Sequence, residues 1–195
     1  MAIRRQLVSE PHISVQQSFW HFSLAVYAKP DVAEECLALQ EEFGLDVNLL
    51  LFSVYMGAVR GVILSEQDVE HAIDIVAVWH RDVVKRLRGV RQSLKVLAKE
   101  QAAPTAKDIE QYRATIKAAE LEAERFEHKW LEDWSHSVRF QAPSGSPSAA
   151  AAANVATLFA ISSASRQPPR LPNHLIAAAL RIGQPSDETG HERPL

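Results

Sequence analysis

The chain has 195 residues, of which 47% are hydrophobic, and a formal net charge of −3. That length supports one domain with a real core, and the charge gives no global attraction to nucleic acid or anionic membranes. One cysteine, Cys36, excludes an internal disulfide and any multi-cysteine metal site. It fits a reducing compartment, and a cytoplasmic location is the expectation.

Residues 1–14 are mixed in character, contain Pro11, and lack the continuous apolar run of a secretory signal; they are expected to form an arm. From Val15 the pattern turns helical, with Phe19, Phe22, Ser23, Val26 and Tyr27 sharing one face. Lys29-Pro30-Asp31 stops this helix, because the residue before a proline avoids the helical region. The next helix turns Val32, Cys36, Leu39 and Phe43 inward, and Gly44 is its stop. Residues 47–64 are apolar nearly all round, which predicts a helix enclosed by others, with Asp46 as its N-cap. Arg60 would be costly in lipid, so this run is read as a buried helix and no membrane is expected as a partner. Ser53, Gly57 and Gly61 recur every fourth residue along it, a small-residue stripe that lets another backbone approach closely.

Ser65 and Asp68 give a capping signal for the fourth helix. Val69, Ile73, Val76, His80, Val83, Leu87, Val90, Leu94 and Leu97 then alternate steps of four and three, a heptad seam. After a break at residues 101–104, Ile109, Tyr112, Ile116, Ala119, Ala123, Phe126 and Trp130 form a second seam. Two long amphipathic helices across a short break predict an antiparallel hairpin, with His80 near Phe126 and Glu120 near Arg86. No stretch alternates convincingly as a strand. The expected fold is an all-α bundle at residues 15–138, three shorter helices packed on the long hairpin. Residues 139–195 read as a low-complexity linker and a flexible, mostly disordered extension. It carries two apolar islands, Val155-Leu158-Phe159-Ser162 and Leu175-Ile176-Ala179-Leu180, each able to form a short helix.

One stretch carries a resemblance. The pattern Phe19-Trp20-x-Phe22-Ser23-Leu24-x-x-Tyr27 is followed by Cys36-Leu37-x-Leu39-Gln40 and Gly44-Leu45-Asp46-Val47-Asn48-x-Leu50-Leu51-Phe52. With Trp79, Val83-Val84, Leu87-Arg88, Arg91, Leu94-Lys95 and Glu120-Leu121-x-Ala123-Glu124-Arg125, it resembles the bacterial family filed as domain of unknown function 2390. The similarity covers roughly residues 17–135 and departs from the usual residues at Ser53 and Tyr55. It implies a small, soluble, helical bacterial protein and transfers no activity or catalytic residues.

Motifs that carry chemistry by themselves are missing: there is no His-Glu-x-x-His, phosphate loop, nucleophile elbow or Cys-x-x-Cys. Asp68-x-x-His71 and Asp133-x-x-His136 have the spacing used in di-metal bundles, but the first and third helices supply no carboxylates to complete the set. No catalytic residue, cofactor or metal site is therefore expected. His80 is the one non-apolar member of its seam, read either as a hydrogen-bonded core histidine or as a ligand contact.

The expected function is non-enzymatic binding or regulation with another protein as partner. It rests on the missing catalytic motifs, the charge-patterned hairpin, and tail islands able to fold on contact. The alternative is a small-ligand binder or enzyme with a pocket formed by Trp20, Tyr27, Gln40, Asn48, Arg60 and His80. A second alternative is nucleic-acid binding by a basic face of Arg81, Lys85, Arg88, Arg91 and Lys95. Glu120, Glu122 and Glu124 on the facing helix compete for those cations and disfavour it. Periodicity leaves the oligomeric state open.

Overall fold

A computed structural model describes residues 18–140, 145–162 and 171–183. The expected arm at 1–14, part of the linker, and the stretch from residue 184 lie outside the described residues. Among those described, the regular elements are α1 (Phe19–Tyr27), α2 (Val32–Phe43), α3 (Val47–Ala58), α4 (Glu66–Trp79), a π turn (His80–Val84), α5 (Lys85–Glu100), α6 (Thr105–Ser137), α7 (Pro147–Ser162) and α8 (Asn173–Gly183). The fold is an all-α bundle with the long α4–α5/α6 hairpin that the periodicity predicts.

Local chemistry sets the helix ends. Asp46 caps α3, its Oδ1 accepting from the Asn48 backbone N–H at 2.8 Å. Ser65 and Asp68 complete a reciprocal capping box at α4. Gly44, at φ +70°, closes α2 in the left-handed conformation that glycine adopts without a steric penalty. Two caps come from distant carboxylates. Glu132 accepts from the Phe19 N–H at 2.9 Å, and Glu35 accepts from the N–H groups of His174 and Leu175 at 3.3 and 2.8 Å.

Helix α3 is the centre of the bundle and packs against α1, α2, α6, α7 and α8. Leu50, Val54 and Met56 are fully buried. Removing each such side chain from water is worth about 1.5–3 kcal/mol.

The small-residue stripe explains what lies on α3. A Cβ at Gly57 would sit 2.2 Å from the Ala151 backbone nitrogen, so α3 and α7 touch backbone to backbone. Both apolar islands of the extension are helices within this core. Val155, Leu158, Phe159, Leu175, Ile176 and Ala179 are all buried. The expectation that they wait for an external surface is corrected: the backbone face of α3 at Gly57 is that surface, and the core runs on beyond residue 138. Asn154, also buried, fastens the join. Its Oδ1 accepts from the Leu64 N–H at 2.7 Å, and its Nδ2 donates to the carbonyls of Val62 and Ser53 at 2.8 and 3.1 Å.

The hairpin seam departs from strict heptads. Between α4 and α5 the Lys85 N–H reaches back five residues to the His80 carbonyl, the signature of a π turn. The wider turn holds one more residue than an α turn and rotates all that follows. Val84 and Ala98 are consequently buried, whereas Val90 and Leu97 of the expected seam are each 46% exposed. On α6 Ala123 is buried as expected, but around it the inward face is one position on: Glu120, Glu127 and Leu131 face inward, while Tyr112 and Phe126 are exposed.

Candidate functional site

The π turn presents His80 to two carboxylates. Its Nδ1 lies 3.0 Å from Asp46 Oδ2 and 3.1 Å from Glu127 Oε1. Asp46 arrives as the α3 cap and Glu127 from the inner face of α6, where it is fully buried. Asn48, in the first turn of α3, donates from Nδ2 to Glu127 Oε2 at 2.6 Å. Burial pushes the imidazole pKa down, but the Glu127 hydrogen bond and the Asp46 charge outweigh it and leave it raised. Burial also raises the Glu127 carboxyl, against the lowering effect of its His80 hydrogen bond. The expectation that His80 meets Phe126 holds for its neighbour instead. Trp79 stacks edge-on against Phe126 and Trp130, and its Nε1 donates to the Ala123 carbonyl at 2.9 Å.

Rotation after the π turn also moves the basic residues. Arg88 donates to Glu120 at 2.9 Å and to Glu124 at 2.7 Å, and Arg91 forks onto Glu120. Burial opposes ionisation of Glu120, yet its bonds to Arg91 and Arg88 dominate and hold its carboxyl below the usual range. Glu124 is raised, chiefly by burial. Arg86, expected opposite Glu120, pairs with Asp82 of its own helix, as does Arg81. Of the five basic-face candidates only Lys85 and Lys95 are left exposed without an ion pair among the described residues.

Two pockets flank this polar seam. One, about 500 Å³, is bordered by Asp46, His80, Arg81 and Lys85. The other, about 560 Å³, lies between α1–α3 and the hairpin and is lined by Trp20, Tyr27, Gln40 and Asn48 together with Arg88, Arg91, Glu120 and Glu124. Four of the six sequence-derived pocket residues therefore meet. His80 opens on the first pocket instead, and Arg60 borders neither. Arg60 follows the C-terminal end of α3, where its backbone N–H bonds the Tyr55 carbonyl. Three turns of helix from Asn48 carry it to the opposite end of the bundle.

The second pocket also contains residues that periodicity did not single out. Ser23 and His128 are among its lining residues, and their Oγ and Nε2 atoms are buried without a hydrogen-bond partner among the described residues. His128 Nδ1 lies 2.9 Å from the Glu124 carbonyl, which only accepts, so Nδ1 carries the proton. Burial pushes the His128 pKa down to about 4, so the ring is neutral at pH 7 and Nε2 is a bare acceptor. Phe19 stacks on the ring at 4.3 Å and Trp20 meets it edge-on at 5.1 Å, fixing its plane. The Asp68/His71 pair serves local structure: Asp68 completes its capping box and His71 packs on Trp134.

The fold and site define a helical-bundle protein with a buried polar seam between two pockets. The family model described as "protein of unknown function (DUF2390)" matches residues 18–131, more than half of the chain, and the protein belongs to that family. No curated protein and no solved structure matches the chain. Among the described residues no helix is long and apolar enough to cross a membrane.

Proposed function

We propose that this protein binds a small molecule in the pocket between α1–α3 and the hairpin. The observation that carries the reading is that two residues of the pocket lining, Ser23 and His128, each hold a buried polar atom, Oγ and Nε2, without a hydrogen-bond partner among the described residues. A buried polar group without a partner costs about 1–3 kcal/mol, and a ligand that supplies the partners recovers it.

The lining suggests the ligand class. Arg88, Arg91 and Lys117 balance Glu41, Glu120 and Glu124, while Leu24, Leu37, Leu51 and Leu121 add apolar wall. A neutral or zwitterionic molecule suits this surround, with an apolar body and an O–H or N–H donor to meet His128 Nε2. We place the activity in the bacterial cytoplasm, where the buried thiol of Cys36 fits a reducing environment. A thermal-shift screen of small neutral and zwitterionic compounds tests the reading. Compounds that stabilise the wild type should lose their effect on His128→Leu; a screen without hits, or hits indifferent to that change, opposes it.

A second reading keeps a protein partner. Val90 and Leu97 on α5 and Tyr112 on α6 remain 46, 46 and 57% exposed, an apolar flank of the kind proteins dock on. It requires a pull-down partner that Leu97→Glu no longer recovers. The basic face supports nucleic-acid binding poorly, because Arg88 and Arg91 are already committed to Glu120 and Glu124.

A further inference from the structure

The His80 cluster adjoins the ligand pocket through Asn48 and has the construction of a metal centre. We infer that Asp46, His80 and Glu127 form a binding site for one divalent transition-metal ion, with its remaining coordination positions facing the pocket bordered by Arg81 and Lys85.

The donor geometry comes first. One ligand atom from each residue, an imidazole nitrogen and two carboxylate oxygens, lies within 4.8 Å of the others. Ligands about 2.0–2.2 Å from a common ion stand about 3 Å apart when adjacent. His80 Nδ1 lies at that spacing from both carboxylates, 3.0 and 3.1 Å.

The carboxylates are also oriented from behind. Asn48 holds Asp46 Oδ1 with its backbone N–H and Glu127 Oε2 with its side-chain amide, at 2.8 and 2.6 Å. Each carboxylate thus turns its other oxygen towards the same point. Outer partners that fix ligand orientation are a regular part of metal centres.

Charge and access agree. Glu127 is fully buried and the facing side chains of His80 and Asp46 are 12 and 13% exposed, so two carboxylates share one imidazole away from solvent. A dication beside a neutral imidazole balances them. The cavity of about 500 Å³ leads to His80 and Asp46 and leaves room for water or an anionic group on the ion. Lys85 on its border, without an ion pair among the described residues, favours an anion there. Mixed imidazole and carboxylate donors select transition metals of the zinc, iron, manganese and cobalt group over calcium or magnesium.

The test is a titration of the chelator-stripped full chain with cobalt(II), read by its visible absorption band and by metal analysis. The wild type should take up one equivalent. Asp46→Asn retains a good N-cap, and Glu127→Gln retains the shape of the buried side chain, so both should fold with unchanged helix content. Both should lose the band. Asn48→Ala should bind about 10–100-fold more weakly, the usual effect of removing an outer partner. His71→Ala, remote from the cluster, should bind as the wild type does. A wild-type protein that takes up no cobalt, or a band that survives in both Asp46→Asn and Glu127→Gln, overturns the assignment.

Discussion

Asn48 and Glu127 are 79 positions apart in the chain and 2.6 Å apart in the fold, their hydrogen bond buried between α3 and α6. It joins a helix without a charged residue to one rich in them at a carboxylate with no access to water. Replacing Asn48 by Leu removes a donor from that buried carboxylate, a change of the type that costs about 1–3 kcal/mol. Urea denaturation should show this loss, with an unchanged slope if packing is otherwise kept.

The stripe on α3 makes a sharper prediction. At Gly57 an added methyl group would collide with the α7 backbone, which cannot swing aside as a side-chain tip can. Gly57→Ala should therefore destabilise by at least the 1–3 kcal/mol usual for overpacking, despite the better helix propensity of alanine. Thermal melting decides between the two effects, since propensity alone would raise the midpoint.

Asn154 satisfies the Leu64 N–H and the Val62 and Ser53 carbonyls at once. Asn154→Leu leaves these groups without that partner, at about 1–3 kcal/mol for each one that water cannot reach. Hydrogen exchange at the Leu64 amide should accelerate strongly. Protection that is unchanged would deny the fastening role.

Glu120 links stability to acidity. Its carboxyl is held below the ordinary value of 4.5, so the contribution is fully present above that value. It is lost as pH falls through the lowered folded-state value. Glu120→Gln should be less stable than the wild type at pH 7, and the gap should narrow as pH drops below 4.5. Glu124, raised mainly by burial, moves the opposite way, so the comparison must be made on the single variant.

Removing the orphaned hydroxyl of Ser23 should not hurt the fold. Ser23→Ala takes away a buried polar atom without a partner and should leave stability equal or higher, while weakening any ligand held there. A large drop in melting temperature would show that the hydroxyl serves the core instead.

Much of the fold was legible in the chain because helix signals are local. Asp46, Ser65 with Asp68, and Gly44 act over a few residues, and the apolarity of 47–58 states the burial of α3, although the apolar run to 64 overstates its length: the helix ends at Ala58 and Ile63 is 43% exposed. The π turn was not legible. It displaces the seam by one position, and no residue in 80–84 marks it. That displacement turned Arg88 and Arg91 from an outer basic face into the hairpin seam, where α6 meets them with Glu120 and Glu124. The only sequence trace of the true face is the four-residue step through Ala123, Glu127, Leu131 and Ser135, in which a glutamate reads as solvated. The pocket was partly legible through Trp20, Tyr27, Gln40 and Asn48, which the short helices bring to one wall. Arg60 was misplaced because hydrophobicity shows that α3 is buried but not which end faces the hairpin.

A small molecule held between α1–α3 and the hairpin would travel with the folded protein. Native mass spectrometry of the protein purified gently from its own host tests for it most directly. The wild type should carry a bound organic mass, absent from His128→Leu prepared in the same way. A bare wild-type chain, or a mass that the variant retains, would contradict it.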